Sequence, residues 1–199
     1  MGVEIGYKLE VTVKDKDGKI VEKRKVKGNS FVKNFITALY GLMWENANDY
    51  PVNVVDTDGN ERRYPYLYSN VDPIFEVTAD EEMDLYGILY GTGTKAFDVN
   101  DYKLDALIPH GDGDNQLHYY STDLLDLGVE DNKVKFKIQR PATNNGSIVI
   151  NVTEIGLVAF DHARDGDLFF LIIRDVLDQA ITVNPNQTIT ATYTIYTTF

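Results

Sequence analysis

The chain has 199 residues, 43% hydrophobic and 25% charged, with no cysteine and a formal net charge of −12. That composition suits a packed fold and excludes disulfides, thiolate metal sites and cysteine nucleophiles. The negative charge argues against a sequence-blind nucleic-acid binder, which needs cationic surface to meet phosphates.

The charge is uneven. Residues 1–33 hold nine Lys/Arg and five Asp/Glu, about +4, which leaves about −16 for the remainder. The opening Met-Gly-Val-Glu-Ile-Gly lacks a basic start and an apolar stretch, so no signal peptide is expected. No apolar run approaches the roughly 20 residues of a membrane span. The expectation is synthesis in a cytoplasm, with no membrane contact and no direct nucleic-acid contact.

In chain order, Val3, Ile5, Tyr7, Leu9, Val11 and Val13 alternate with Glu4, Lys8, Glu10 and Thr12, the pattern of a half-buried strand. Asp15-Lys16-Asp17-Gly18-Lys19 predicts a turn. Residues 20–27 return as a strand whose Lys23, Arg24 and Lys25 limit edge pairing. Asn29 or Ser30 is placed to cap a helix. Phe31, Phe35, Ile36, Leu39, Tyr40, Leu42 and Met43 then recur mostly at three- and four-residue steps, so one α-helix is expected near residues 30–44.

Residues 45–83 read as an insertion or arm. Asp56-Thr57-Asp58-Gly59-Asn60 predicts a hairpin turn between 52–55 and 61–66, while Pro65 and Pro73 limit pairing. Residues 85–90 read as a buried strand ending at Gly91-Thr92-Gly93, followed by an irregular loop through Ile108-Pro109 and a turn at His110–Asp114. Further strands are expected at 117–121, 133–139, 147–153, 154–160 and 168–173, the last closed by Arg174. Residues 181–183 form a short piece, and the Thr/apolar alternation of 188–198 marks a terminal strand. The spacing predicts a mainly β fold over 1–199: a single antiparallel β-sandwich, jelly-roll-like, with one packed helix.

Gly91-Thr92-Gly93-Thr94-Lys95-Ala96 matches the loose G-x-G-x-x-A form of a dinucleotide fingerprint. The chemistry needs a helix directly after the glycines, and Phe97-Asp98-Val99-Asn100-Asp101 has no helical period, so the expectation is a strand leaving its sheet through a glycine turn. No cofactor is expected. Asp112, Asp114, Asp161, Asp165 and Asp167 are weak calcium candidates, since loop carboxylates suit a hard cation, but none lies in an EF-hand pattern. His110, His118 and His162 lack metal-ligand spacing, and no G-x-S-x-G elbow is present. The expectation is that the chain is not an enzyme. Asn145, Asn151 and Asn186 open glycosylation sequons that read as chance matches without a signal peptide. Interface candidates are the basic Lys23, Arg24 and Lys25 and the aromatic Tyr40, Trp44, Tyr64, Tyr66 and Tyr68.

Three pieces together resemble small structural proteins of tailed bacterial and archaeal viruses. They are Gly28-Asn29-Ser30-Phe31-Val32-Lys33-Asn34-Phe35; Tyr90-Gly91-Thr92-Gly93-Thr94 with Asp101-Tyr102-Lys103-Leu104; and Glu154-Ile155-Gly156-Leu157-Val158 with residues 171–177 and 181–195. The resemblance implies a non-enzymatic virion protein, located in the virion. It would form a homo-oligomer that decorates or stabilises a capsid or builds a tail component, with itself and other virion proteins as partners. No catalytic residue comes with it. The alternative is a carbohydrate-binding module for host attachment, with Trp44 and the tyrosines stacking on a host glycan.

Overall fold

The computed structural model describes residues 4–28, 30–43, 52–64, 75–130, 133–163 and 166–198. In β1 (Glu4–Lys14) the alternation places Tyr7, Leu9, Val11 and Val13 in the core. The turn that follows is tied by Asp15, whose carboxylate accepts the amides of Asp17 and Lys19, with Gly18 at φ 79°. β2 (Ile20–Lys27) then pairs antiparallel with β1.

Helix α1 (Lys33–Leu42) starts at Val32, which makes no side-chain cap hydrogen bond. Ser30 is therefore not the cap expected of it; its amide donates to Tyr7 Oη and its carbonyl accepts from the Arg174 amide. Asn29, the other expected cap, lies outside the described residues. The buried helix face is Asn34, Ala38 and Gly41, whereas Ile36, Tyr40, Leu42 and Met43 are exposed. Of the apolar stripe read from the sequence, Phe31 and Phe35 do pack on the core, stacked on each other at 4.2 Å. Small residues let the helix approach closely, and Asn34 brackets Val55, donating to its carbonyl at 2.8 Å and accepting its amide at 3.0 Å.

The hairpin of β3 (Val52–Val55) and β4 (Glu61–Tyr64) forms as expected around Asp56, which accepts the amides of Asp58 and Asn60. It packs on the core through Tyr64, whose ring meets Phe170 edge-on at 5.2 Å. The remaining strands are β5 (Gly87–Gly91), β6 (His118–Tyr119), β7 (Asp123–Glu130), β8 (Lys133–Thr143), β9 (Ile150–Ala163), β10 (Gly166–Val183) and β11 (Thr188–Thr198).

Two antiparallel sheets make the sandwich. One runs β2-β1-β11-β8, with β6 and β7 both on the far side of β8; the other runs β10-β9-β5. Among the described residues the fold is mainly β with one helix, as expected. Three boundaries differ. The segments expected at 147–153 and 154–160 are one strand, β9. Arg174 does not close a strand but sits inside the 18-residue β10, which absorbs its length through register shifts on either side. β7 was not expected at all, because its Asp-Leu-Leu-Asp-Leu-Gly lacks a clean alternation.

Buried tyrosines join the sheets. Tyr7 Oη of β1 donates to Asp175 of β10 at 2.8 Å. Tyr193 of β11 bonds Asp175 and the Ile155 carbonyl of β9. Tyr90 Oη of β5 donates to the Arg140 carbonyl of β8 and accepts the Ala191 amide of β11. Each ring fills core volume while its hydroxyl reaches a polar group on the opposite sheet, which explains why tyrosine suits this sandwich.

Candidate functional site

The glycine loop after β5 carries the dinucleotide-like spacing Gly91-Thr92-Gly93. Gly91 and Gly93 face Glu154 of β9. A Cβ on Gly91 would stand 2.6 Å from Glu154 Oε1, and one on Gly93 2.3 Å from it. The amides of Gly93 and Ala106 donate to Glu154 Oε1 at 3.1 and 2.7 Å, and the Asp105 amide donates to Oε2 at 3.1 Å. The loop therefore does cradle an anion, but the anion is the protein's own carboxylate. No described helix follows the glycines.

Arg174 completes this centre. It is fully buried and donates from Nε to Glu154 at 2.8 Å, from Nη1 to Asp101 at 2.7 Å and from Nη2 to the Lys95 carbonyl at 3.0 Å. Lys95 Nζ reaches the other oxygen of Asp101 at 2.8 Å. Burial pushes the Asp101 carboxyl up, but hydrogen bonds from Lys95, the Asp98 amide and Arg174 outweigh it and hold the group below its ordinary value. Two carboxylates balance two cations, so this buried cluster carries little net charge for a ligand. A pocket of about 310 Å³ opens beside it, lined by Asp98, Tyr102, Lys103, Leu104 and Asp105 as well as the cluster. Its carboxylates are already committed: Asp98 accepts from Asn100, and Asp105 from the amides of Thr94 and Lys95.

A second buried centre is Asp175, between Tyr7 and Tyr193. Burial pushes its carboxyl up to about 6, against the lowering effect of hydrogen bonds from Tyr7, Tyr193 and Ser30. A third is Arg140 of β8, also fully buried. Its guanidinium donates to the carbonyls of Asp80, Met83, Tyr86, Ile88 and Tyr120 and lies 4.7 Å from the centre of the Tyr119 ring. It gathers an irregular loop that has few backbone partners of its own.

The calcium candidates are engaged elsewhere. Asp112 binds Asn145 at 2.7 Å and His118 at 3.1 Å, while Asp114 accepts the amide and hydroxyl of Ser147. Both carboxyls lie below their ordinary values, Asp112 chiefly through Asn145 and Asp114 chiefly through the Ser147 amide. These bonds lace loop 110–116 to loop 144–148. Asp161 is buried in β9 near Tyr64, whereas Asp167 is exposed and pairs with His162 across the β9–β10 hairpin. Asp161 and Asp167 thus point to different environments and share no site. Asp165 lies outside the described residues. Among the described residues no group of three or more His, Asp or Glu could hold a metal ion.

Of the interface candidates, Lys23 is exposed and pairs with Glu10 at 2.8 Å, and Lys25 is exposed. Arg24 turns inward, to Glu22 and the carbonyls of Gln179 and Ala180, so it ties β2 to β10 and is not presented outward. Tyr40 is exposed on the helix. Tyr64 is fully buried against Phe170, which removes it as a surface anchor. Trp44, Tyr66 and Tyr68 lie outside the described residues. Sequence reasoning missed Arg140, although the alternation that places Phe136 and Ile138 inward also places residue 140 inward.

The chain matches no protein-family model, no curated protein and no solved structure.

Proposed function

We propose that the chain is a non-enzymatic structural protein of a virus particle. It assembles as a homo-oligomer that decorates or stabilises a capsid or forms part of a tail. One observation carries the self-assembly part of this reading. The buried polar side chains Glu154, Arg174, Arg140 and Asp175 are consumed by architecture, while β7 presents all eight of its residues to solvent, four of them Leu or Val. An edge strand of the sheet that exposes apolar side chains on both faces gains stability when it is covered. The virion part rests on the resemblance of residues 28–35, of 90–94 with 101–104, and of 154–158 with 171–177 and 181–195.

Light scattering of the purified protein at low and moderate salt tests self-assembly. A discrete multimer of the 22.5 kDa chain is expected. A strict monomer at high concentration would overturn the homo-oligomer.

A further inference from the structure

The six-stranded sheet ends in two open strands of equal length. β2 and β7 have eight residues each, and among the described residues no strand pairs with the outer side of either. Both present apolar side chains to solvent. Ile20 and Val21 are 51% and 50% exposed, and Leu127 and Val129 are 80% and 76% exposed. Their charges are opposite. β2 exposes Lys23 and Lys25, while Arg24 is tied to Glu22 and β10; β7 carries Asp123, Asp126 and Glu130 and no cation. From these observations we infer that β2 of one copy pairs with β7 of the next, extending the sheet from subunit to subunit.

Edge pairing of this kind draws affinity from main-chain hydrogen bonds and selectivity from the flanking side chains. Natural edges are normally blunted, and β7 is blunted only in part. The register shift between Leu125 and Gly128, with Asp126 at φ 56°, divides it into two short runs. A divided edge is a poor template for chance strands. It favours a partner of opposite charge, and the exposed Lys23 and Lys25 of β2 are of that sign. In the free subunit Lys137 holds Asp126, Lys135 holds Glu130 and Glu10 holds Lys23. Each pair has one exposed and one half-exposed partner in contact with solvent, so exchanging them across an interface costs little. Because the two surfaces differ, the contact is head-to-tail, and repetition closes a ring or continues as a filament.

The inference rests on the homo-oligomer reading and adds the surfaces that join. Its test uses two full-length variants altered only at exposed positions: Val21→Glu with Lys25→Glu on β2, and Leu127→Lys with Val129→Lys on β7. Circular dichroism first establishes that each retains the wild-type strand signal. Each variant alone should scatter as a single subunit of 22.5 kDa. An equimolar mixture should give twice that mass and no more, since each variant keeps one working edge and the two are complementary. Wild-type multimers with variants that assemble unchanged would overturn the edges and leave self-assembly standing. A dimer of the β2 variant alone would overturn the head-to-tail pairing in favour of a β7–β7 contact. A monomeric wild type would overturn both readings. If either variant loses the strand signal, Lys25→Glu alone and Asp123→Lys alone replace them, with the same expected masses.

Discussion

Gly93 donates its amide to Glu154 at 3.1 Å, and the place where a Gly93 side chain would begin is occupied by that same carboxylate. A glycine is required here by close approach, the reason glycines also line phosphate loops. Gly93→Ala should therefore displace Glu154 and loosen its bond to Arg174. The expected loss is about 2–4 kcal/mol of unfolding free energy. Urea denaturation measures it, and a loss below half a kcal/mol would show that the carboxylate can move aside freely.

Glu154→Gln tests the charge rather than the shape. Arg174 would stay buried with only Asp101 to balance it, and the amide would turn a donor toward one of the amides that Glu154 now accepts. Breaking one side of a buried pair typically costs about 3–5 kcal/mol. Replacing Arg174 by Met leaves two buried carboxylates and should cost at least as much. Equal stability of Glu154→Gln and wild type in denaturant would mean the cluster is held by packing alone.

Asp175 predicts a pH dependence with an unusual sign for a carboxylate. Its folded pKa is about 6, against roughly 3.9 in an unfolded chain. The folded state therefore binds more protons in that interval. This group's contribution is complete below about pH 4 and declines as pH rises through 6, by roughly 3 kcal/mol at most. Asp101 acts oppositely: its pKa is lowered on folding, so its contribution is present above the unfolded value and lost as pH falls through the folded one. The two windows do not overlap. Asp175→Asn should flatten the slope between pH 4 and 6 and leave the acid limb intact, which stability curves at several pH values will show. An unchanged slope would place the titration elsewhere.

The frame of this fold is legible in the sequence and its polar interior is not. β1, β11 and the Lys133–Thr143 strand announce themselves by alternation, since one face of each is solvated and the other buried. β9 and β10 are covered for much of their length on both faces, so alternation fades and their limits blur. The helix is legible as a helix, and Phe31 and Phe35 pack as their spacing implies, but Asn34 is buried through its hydrogen bonds to Val55 rather than through apolarity. The Glu154–Arg174–Asp101 cluster joins positions 53 residues apart or more across Asp101 and either partner. Such a set exists only after the loop folds back on the sheet, and no local spacing encodes it. The glycine loop alone gives a local signal, and its close approach is made to Glu154.

Tyr64 carries a hydroxyl that is buried without a hydrogen-bond partner among the described residues. Burial and the nearby Asp161 both push its pKa up, so the phenol stays neutral, and its oxygen remains desolvated. Tyr64→Phe keeps the edge-on contact with Phe170 and removes the unsatisfied group. A gain of about 1 kcal/mol is expected in thermal or chemical unfolding. A loss of stability would show that the hydroxyl is bonded in solution.

Arg140 offers the last test, because its role is distributed over five carbonyls rather than one ion pair. Lysine at this position keeps the charge but has three donors and no planar fork, so at least two of the five acceptors lose their partner. Arg140→Lys should cost about 3 kcal/mol. The loss should also be local in origin. The loop from Asp80 to Ile88 is anchored through the guanidinium and through the Glu82 amide, which donates to the Tyr119 carbonyl; the Thr122 amide donates to Ala79 beside it. With the guanidinium gone, these two amides should exchange with solvent faster than those of β1 and β11, whose ladder does not depend on Arg140. Hydrogen exchange read at both places separates the outcomes. Acceleration confined to the loop supports a scaffold role for Arg140, whereas uniform acceleration would mean that the arginine supports the whole sandwich and the loop has no separate anchor.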